Sequence, residues 1–280
     1  MIAVYIGVPI LVLVGAWLFL IAPSKNSQME KFKNVKYAHR GLHGDFGEGY
    51  AAENSLTAFK RATELGFGIE LDVRISKDGE VVVFHDNTLD RVTGVCGKVS
   101  DKTLEELSKI HLSGTSDCIP SFKEVLECVS GKVPLLVEIK EDGFDHSTSE
   151  KTSEILAEYE GEYIIESFNP LSLGVVKEKL PSACRGFLLE KLTEETKTRA
   201  LKYRVTQRLL LNVIARPHFI SASKKRSRMF PLPIVRSLFK TPLIAWTVLS
   251  EEEEQNAYKN GFDGVIFEKY IPDETKNKRN

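Results

Sequence analysis

Eight short apolar segments rich in β-branched residues recur along the chain, and most are separated from the next by a stretch long enough for a helix. The strand candidates are Val35–His39, Gly68–Ile75, Pro134–Ile139, Tyr163–Ser167, Cys184–Leu189, His218–Ser221, Leu243–Val248 and Asp263–Phe267. Helix-length segments lie at Ser55–Leu65, Ser121–Val129, Thr148–Tyr159, Leu171–Lys179, Thr193–Leu210 and Ser250–Asn260. Parallel strands need long crossovers, and strands alternating with helices supply them. The spacing therefore predicts an α/β chain folded as a (β/α)8 TIM barrel, with its active site at the C-terminal strand ends. No internal repeat accompanies the pattern.

One further strand, Glu80–His85, follows the second barrel strand across "SKDGE", a link too short for a parallel crossover. Asp78-Gly79 is a two-residue hairpin signal. Centring the turn there pairs Lys77 with Glu80 and sets His85 opposite Asp72. Residues 86–118, without a clear strand or long helix, are expected as a small insertion over the barrel mouth.

The N-terminus differs from everything after it. Ile2–Ala22 carries no charge, and as a helix it spans roughly 30 Å, the thickness of a bilayer core. No basic residue precedes it and "LIAPSKNS" is a poor cleavage site, so it reads as an uncleaved transmembrane anchor and not a signal peptide. Lys25, Lys31, Lys33 and Lys36 all follow the span, which favours a cytoplasmic catalytic domain on a single-pass membrane protein. The expected organisation is an anchor at 1–22, a polar tether at 23–34, the barrel at 35–270 and a polar tail at 271–280. Cys96, Cys118, Cys128 and Cys184 form no C-x-x-C pair; free thiols in a reducing compartment are the reading, with a Cys96–Cys118 disulfide as the alternative. A net charge of −1 gives no case for nucleic acid as a partner.

Polar residues on the inward faces carry the chemistry. In "GIELDVRIS" the alternation sets Ile69, Leu71, Val73 and Ile75 on one face and Glu70, Asp72 and Arg74 on the other. "LLVEIK" repeats it, with Glu138 and Lys140 inward. Glu70, Asp72 and Glu138 thus converge, and like charges side by side call for a cation. Hard oxygen donors suit one divalent ion, Mg²⁺ or Ca²⁺. His39 and His85, at mouth positions beside these acids, are the proton-transfer candidates. Arg40 offers a fork for a phosphate and Lys140 a point charge, with ion pairs to the acids as the alternative for both. Glu53 is a site candidate or belongs to the cap of the helix that follows, where Asn54 or Ser55 can serve as the capping residue. Phe168 and Trp246, at strand ends, are candidate pocket walls. His43, His111, His146 and His218 read as surface or structural, and the basic segment Ser223–Arg228 as a solvated loop.

The motifs "AHRG", "ENSLTAF", "GIELDVRISKDGEVVVFHD" and "VEIK", with "SFNP", "AWTV" and "DGVIFE" later, resemble the glycerophosphodiester phosphodiesterase family in order from Tyr37 to about Glu268. The resemblance implies a barrel with a small insertion, a divalent cation, and hydrolysis of glycerophosphodiesters to an alcohol and glycerol 3-phosphate. It implies metal ligation by Glu70, Asp72 and Glu138, acid/base roles for His39 and His85, and phosphate binding by Arg40 and Lys140. Ala52 departs from the family's usual proline. With no obvious Ser or Cys nucleophile, the two histidines suggest a cyclic phosphate formed by the substrate's own hydroxyl. The rival readings are a lysophospholipase D acting on lysolipids at the membrane and a non-enzymatic, anchored lipid-headgroup-binding barrel; the oligomeric state is open.

Overall fold

The structure, a computed structural model, describes residues 2–141, 143–189, 205–206, 208–224 and 230–273, with side chains from residue 7 onward. The expected helix Thr193–Leu210 and the segment Ser223–Arg228 lie largely outside the described residues. Helix α1 (Ile2–Ile21) leads into a 3-10 turn (Ser27–Phe32) and β1 (Lys36–Ala38). A small hairpin, β2 (Gly44–Asp45) with β3 (Tyr50–Ala51), precedes α2 (Leu56–Glu64), β4 (Gly68–Ile75) and β5 (Val81–Val83). Next come α3 (Asp90–Thr93), α4 (Leu104–Leu107), α5 (Phe122–Val129), β6 (Leu135–Ile139) and α6 (Ser147–Ala157). The chain continues through β7 (Tyr163–Ser167), α7 (Pro170–Lys179), β8 (Cys184–Leu189), α8 (Asn212–Ala215) and β9 (Phe219–Ser223). It ends with α9 (Leu232–Phe239), β10 (Leu243–Val248), α10 (Glu251–Lys259) and β11 (Gly264–Phe267).

Strands β1, β4, β6, β7, β8, β9, β10 and β11 pair in parallel in that order, and β11 returns to β1. This closed parallel barrel with surrounding helices is the (β/α)8 architecture that the alternation predicts. The outward faces of β4 and β6 (Ile69, Leu71, Val73; Leu135, Val137, Ile139) pack with Phe59, Phe122 and Val125 of the flanking helices. Each such fully buried side chain contributes about 1.5–3 kcal/mol. Inside, the lower barrel is filled by Tyr37, Leu136, Ile164, Cys184, Phe219, Ile244 and Ile266. Met29 and Phe32 of the 3-10 turn join that cluster, so the segment expected as a polar tether plugs the bottom of the barrel. Above this plug the inward positions turn polar.

Two expectations need correction. The β4–β5 hairpin is antiparallel, as predicted, but one residue out of register: Val73 faces Val83 and Ile75 faces Val81, which sets Phe84, not His85, at the level of Asp72. Its link is a three-residue loop closed by the Ser76 N–H donating to the Glu80 carbonyl. Only Gly79 takes the left-handed conformation, at φ +82°, whereas a two-residue type I′ turn needs two such residues. The second correction is α9, which the sequence hid behind Pro231 and Pro233. Proline is accommodated in a helix's first turn, where its missing N–H has no intrahelical partner.

The insertion builds its own core from Leu89, Val92, Val99, Leu107, Leu112 and Ile119 against Val82 and Phe84. The four cysteines are free thiols. At α1 the C-terminal residues dock on the barrel, whereas Val8 and Ile10–Val14 are exposed. Among the described residues no helix is long and apolar enough to cross a membrane; the described side chains of α1 begin at Gly7.

Candidate active site

The candidate site residues stand on inward strand positions or at a strand's mouth end, except Glu53 and His85, the latter in the segment that follows the antiparallel β5. Glu53 joins them from the loop before α2. Glu70 and Asp72 project from β4, and Glu138 from β6 directly opposite Asp72. The three carboxylates are 1%, 0% and 7% exposed, and each offers an oxygen within 4.8 Å of the others'. Asp72 Oδ1 and Glu138 Oε1 share a single cation, the Lys140 ammonium, at 3.1 and 2.6 Å. Burial raises the Glu70 carboxyl well above its ordinary value, with Asp72 and Glu138 adding to the effect. Burial also lifts Glu138, to about 7, against the pull of Lys140. At Asp72 burial acts the same way but is outweighed by Lys140, His85 and Arg40, which hold it ionised. Two cations thus leave three crowded carboxylates under-neutralised. A buried all-oxygen donor set whose atoms lie within 4.8 Å of one another fits a hard divalent cation.

The turn after β1 brings in the next pair. The His39 N–H donates to the Phe267 carbonyl and so continues the β1–β11 ladder. Arg40 follows with φ +54°, and its backbone N–H donates to Glu70 Oε2 at 2.8 Å. Gly41 completes the turn at φ +78°, where a Cβ would stand 2.9 Å from Ala58 and Phe59 of α2; only glycine allows that approach. The Arg40 guanidinium donates to Glu53 at 2.9 Å and lies 3.4 Å from Asp72. Arg40 and Lys140 therefore both pair with acids in the structure and both border the carboxylate cluster.

Each histidine is backed by a carboxylate. His39 Nδ1 lies 2.8 Å from Glu268 Oε2, and His85 Nδ1 lies 2.6 Å from Asp86 Oδ1. An ionised carboxylate only accepts, so Nδ1–H is the donor and Nε2 is left to exchange a proton. Glu268 is held at about 2, chiefly through that hydrogen bond, against burial. Burial lowers His85 below its ordinary value, while Asp72 and Asp86 pull it upward.

Phe168 and Trp246 meet edge to face at 5.8 Å, and Lys140 Nζ lies 5.8 Å from the Phe168 ring. They form an apolar wall beside the charged floor. Glu53 does not cap α2. Ser55 does, accepting from the Ala58 N–H, while Glu53 binds Arg40 and Arg91.

Several contributors escaped the sequence. Asn54, weighed as a cap, donates its amide to Asp72 at 2.9 Å. Arg91, from the insertion, joins Glu53 to Asp86. His43, expected at the surface or in a structural role, lies with His39 and Glu268, its ring within 4.8 Å of their donor atoms. Glu166, facing Glu138 across the β6–β7 pair, is pushed up to about 8, first by burial and then by Glu138, and accepts from Ser221. Glu268 and Asp86 were legible by position, one ending the last strand and the other adjoining His85.

A barrel whose mouth holds two carboxylate-backed imidazoles, an acidic trio and two cations defines a hydrolase of phosphoric diesters. The model of the glycerophosphoryl diester phosphodiesterase family matches residues 39–270, and the chain belongs to that family. The chain is 35% identical over 248 residues to a glycerophosphodiester phosphodiesterase of Caldanaerobacter subterraneus subsp. tengcongensis, covering 84% of this chain and 93% of the relative. It is similar to a solved glycerophosphodiester phosphodiesterase from Thermotoga maritima, with TM-score 0.62 and 30% identity, covering 84% and 94%. A phosphodiesterase of Oleispira antarctica, solved with the product sn-glycerol-3-phosphate, shares the fold, with TM-score 0.69 and 23% identity, covering 85% and 94%.

Proposed function

We propose that this hydrolase cleaves glycerophosphodiesters to an alcohol and glycerol 3-phosphate, with His39 and His85 as the acid/base pair and Glu70, Asp72 and Glu138 as ligands of Mg²⁺ or Ca²⁺. The observation that carries this reading is the pair of carboxylate-backed imidazoles beside an under-neutralised acidic trio. The bound cation supplies charge neutralisation and orientation of phosphate oxygens.

Arg40 and Lys140 border the trio and attract the phosphate charge. One histidine accepts the proton of the glycerol hydroxyl next to the phosphorylated carbon as that oxygen attacks phosphorus. The other histidine protonates the departing alcohol oxygen, leaving a cyclic phosphate. Water then opens the ring as the two histidines exchange roles. The Glu268 and Asp86 hydrogen bonds fix both rings for this exchange, and Phe168 and Trp246 shield one side from solvent. Pre-placing the groups supplies much of the rate.

We also propose that α1 holds the chain at a membrane with the barrel in the cytoplasm. Its uncharged sequence, its exposed apolar turns and the lysines that follow it support this. Protease added to intact cells is expected to spare the barrel; digestion while a cytoplasmic control survives contradicts the orientation.

The enzymatic reading is tested by assaying glycerophosphocholine hydrolysis before and after chelation. Chelator is expected to abolish turnover and lower the thermal midpoint, because a ligand bound only by the folded chain stabilises it. Full turnover in a preparation shown metal-free by elemental analysis overturns the ligand assignment.

A further inference from the structure

Beside the acidic trio, a second group of donors stands at the mouth. Strand β1 runs along β11 with Ala38 opposite Phe267, so the next residues, His39 and Glu268, emerge side by side. Their side chains meet at 2.8 Å, His39 Nδ1 to Glu268 Oε2. Arg40 and Gly41, both left-handed, then double the chain back, and the His43 N–H donates to the Gly41 carbonyl. One donor atom from each of His39, His43 and Glu268 lies within 4.8 Å of the other two.

His43 is the member that the acid/base chemistry leaves unused. Its Nε2 is buried and takes no hydrogen bond among the described residues. Burial lowers this imidazole below its ordinary value, ahead of the opposing pull of Glu268, so the ring is neutral and keeps a lone pair. A buried nitrogen without a partner is costly, and a purely structural His43 gains nothing that offsets it. The cluster is also reachable, since His39 and Glu268 keep part of their side chains in solvent. Lys269 approaches Glu268 Oε1 at 3.8 Å, but its side chain is largely exposed, and such a pair holds weakly.

We propose that His39, His43 and Glu268 form a second cation site, selective for the borderline ion Zn²⁺, and that filling it switches the enzyme off. The trio offers oxygen alone and suits a hard ion. Two imidazoles and one carboxylate are a zinc donor set, with water for the fourth position. Zinc holds such donors at about 2.0–2.2 Å, so the His39–Glu268 contact has to open by only about half an ångström. The consequence for His39 follows from its proton count. In the neutral ring the one proton sits on Nδ1, toward Glu268, and Nε2 holds the lone pair. Zinc binds the Nδ1 lone pair only when that proton has moved through water to Nε2. Nε2–H then has no lone pair with which to take the glycerol proton. The ring is also a far weaker acid than an imidazolium, so both halves of the histidine exchange stop. This consequence rests on the acid/base reading above; the binding of zinc does not.

The test uses the full chain with Mg²⁺ held saturating and Zn²⁺ as the probe. Titration calorimetry is expected to show one zinc site whose affinity persists when Mg²⁺ is raised about tenfold. His43→Gln is expected to weaken it by about tenfold or more, since loss of even an outer partner costs a metal site that much. Glu268→Gln is expected to weaken it likewise, so a folding failure of one variant leaves the other to decide. Glycerophosphocholine turnover, each protein compared with its own zinc-free rate, is expected to fall as the site fills. His43→Gln then needs correspondingly more zinc for half inhibition. Absence of zinc binding, equal affinity in the folded variants, or zinc displaced by added Mg²⁺ overturns the site. Binding that leaves turnover unchanged overturns the switch. If the unsubstituted protein leaves glycerophosphocholine intact without zinc, the phosphodiesterase reading and the switch fail together, while calorimetry still decides the site.

Discussion

At the scale of single residues, the site consists of two imidazoles whose Nδ1 atoms are each tied to a carboxylate, with His39 Nε2 turned toward Glu70 at 4.0 Å. His39→Ala and His85→Ala are each expected to lower kcat by about 10²–10⁴-fold with little change in the denaturation midpoint, as suits general acid–base groups. Steady-state kinetics paired with urea denaturation separates this from a folding defect. The Asp86 contact makes a finer prediction. Burial depresses His85, and Asp86 opposes the depression by favouring its charged form. Asp86→Asn therefore lowers His85 further, and the limb of the pH–rate profile belonging to His85 moves to lower pH. A limb that stays in place, or moves upward, contradicts this coupling.

At the scale of elements, the β4–β5 hairpin carries the argument because it delivers His85 to the acids. Gly79 holds its loop at φ +82° with nothing within 4 Å of a Cβ added there. Gly79→Ala thus meets no clash, and backbone strain alone is expected to cost about 1 kcal/mol of stability. Urea denaturation reads that loss directly, and an unchanged midpoint says the loop relaxes. The same hairpin marks how far the sequence could be read. Alternation in "GIELDVRIS" placed Glu70 and Asp72 inward because one face of the strand had to be apolar. The register slipped by one because Asp78-Gly79 resembles a two-residue turn until the backbone shows that only Gly79 is left-handed. Arg91 was hidden for another reason. It sits on a four-residue helix, too short for any periodicity, and its partners Glu53 and Asp86 come from distant loops. Asn54 looked like a cap because the polar run before α2 offered two candidates, and only packing decided that Ser55 took that role.

Across the whole molecule, the barrel separates stability from chemistry along its axis, with an apolar plug below and charged groups above. His218 belongs to the lower part. It is buried, its Nδ1 accepts from the Arg185 N–H, and burial followed by Arg185 lowers it from 6.5 to about 4. The unfolded chain then takes up a proton more readily than the folded one. The His218 contribution is intact above about 6.5 and is lost as pH falls toward about 4. Denaturation midpoints are expected to decline through that window, and less steeply in His218→Asn, which keeps an acceptor but cannot be protonated. An identical decline in both proteins contradicts the assignment.

The two-histidine account stands most directly on the identity of the nucleophile. A glycerophosphocholine analogue without the hydroxyl next to the phosphorylated carbon keeps the charge that Arg40 and Lys140 attract but has no internal attacking oxygen. The measurement is its turnover and its inhibition constant with the metal-loaded enzyme. The account predicts that the deoxy analogue binds competitively, with a constant close to the substrate's KM, and is not cleaved. Cleavage at the normal rate contradicts the cyclic route and assigns the first attack to water.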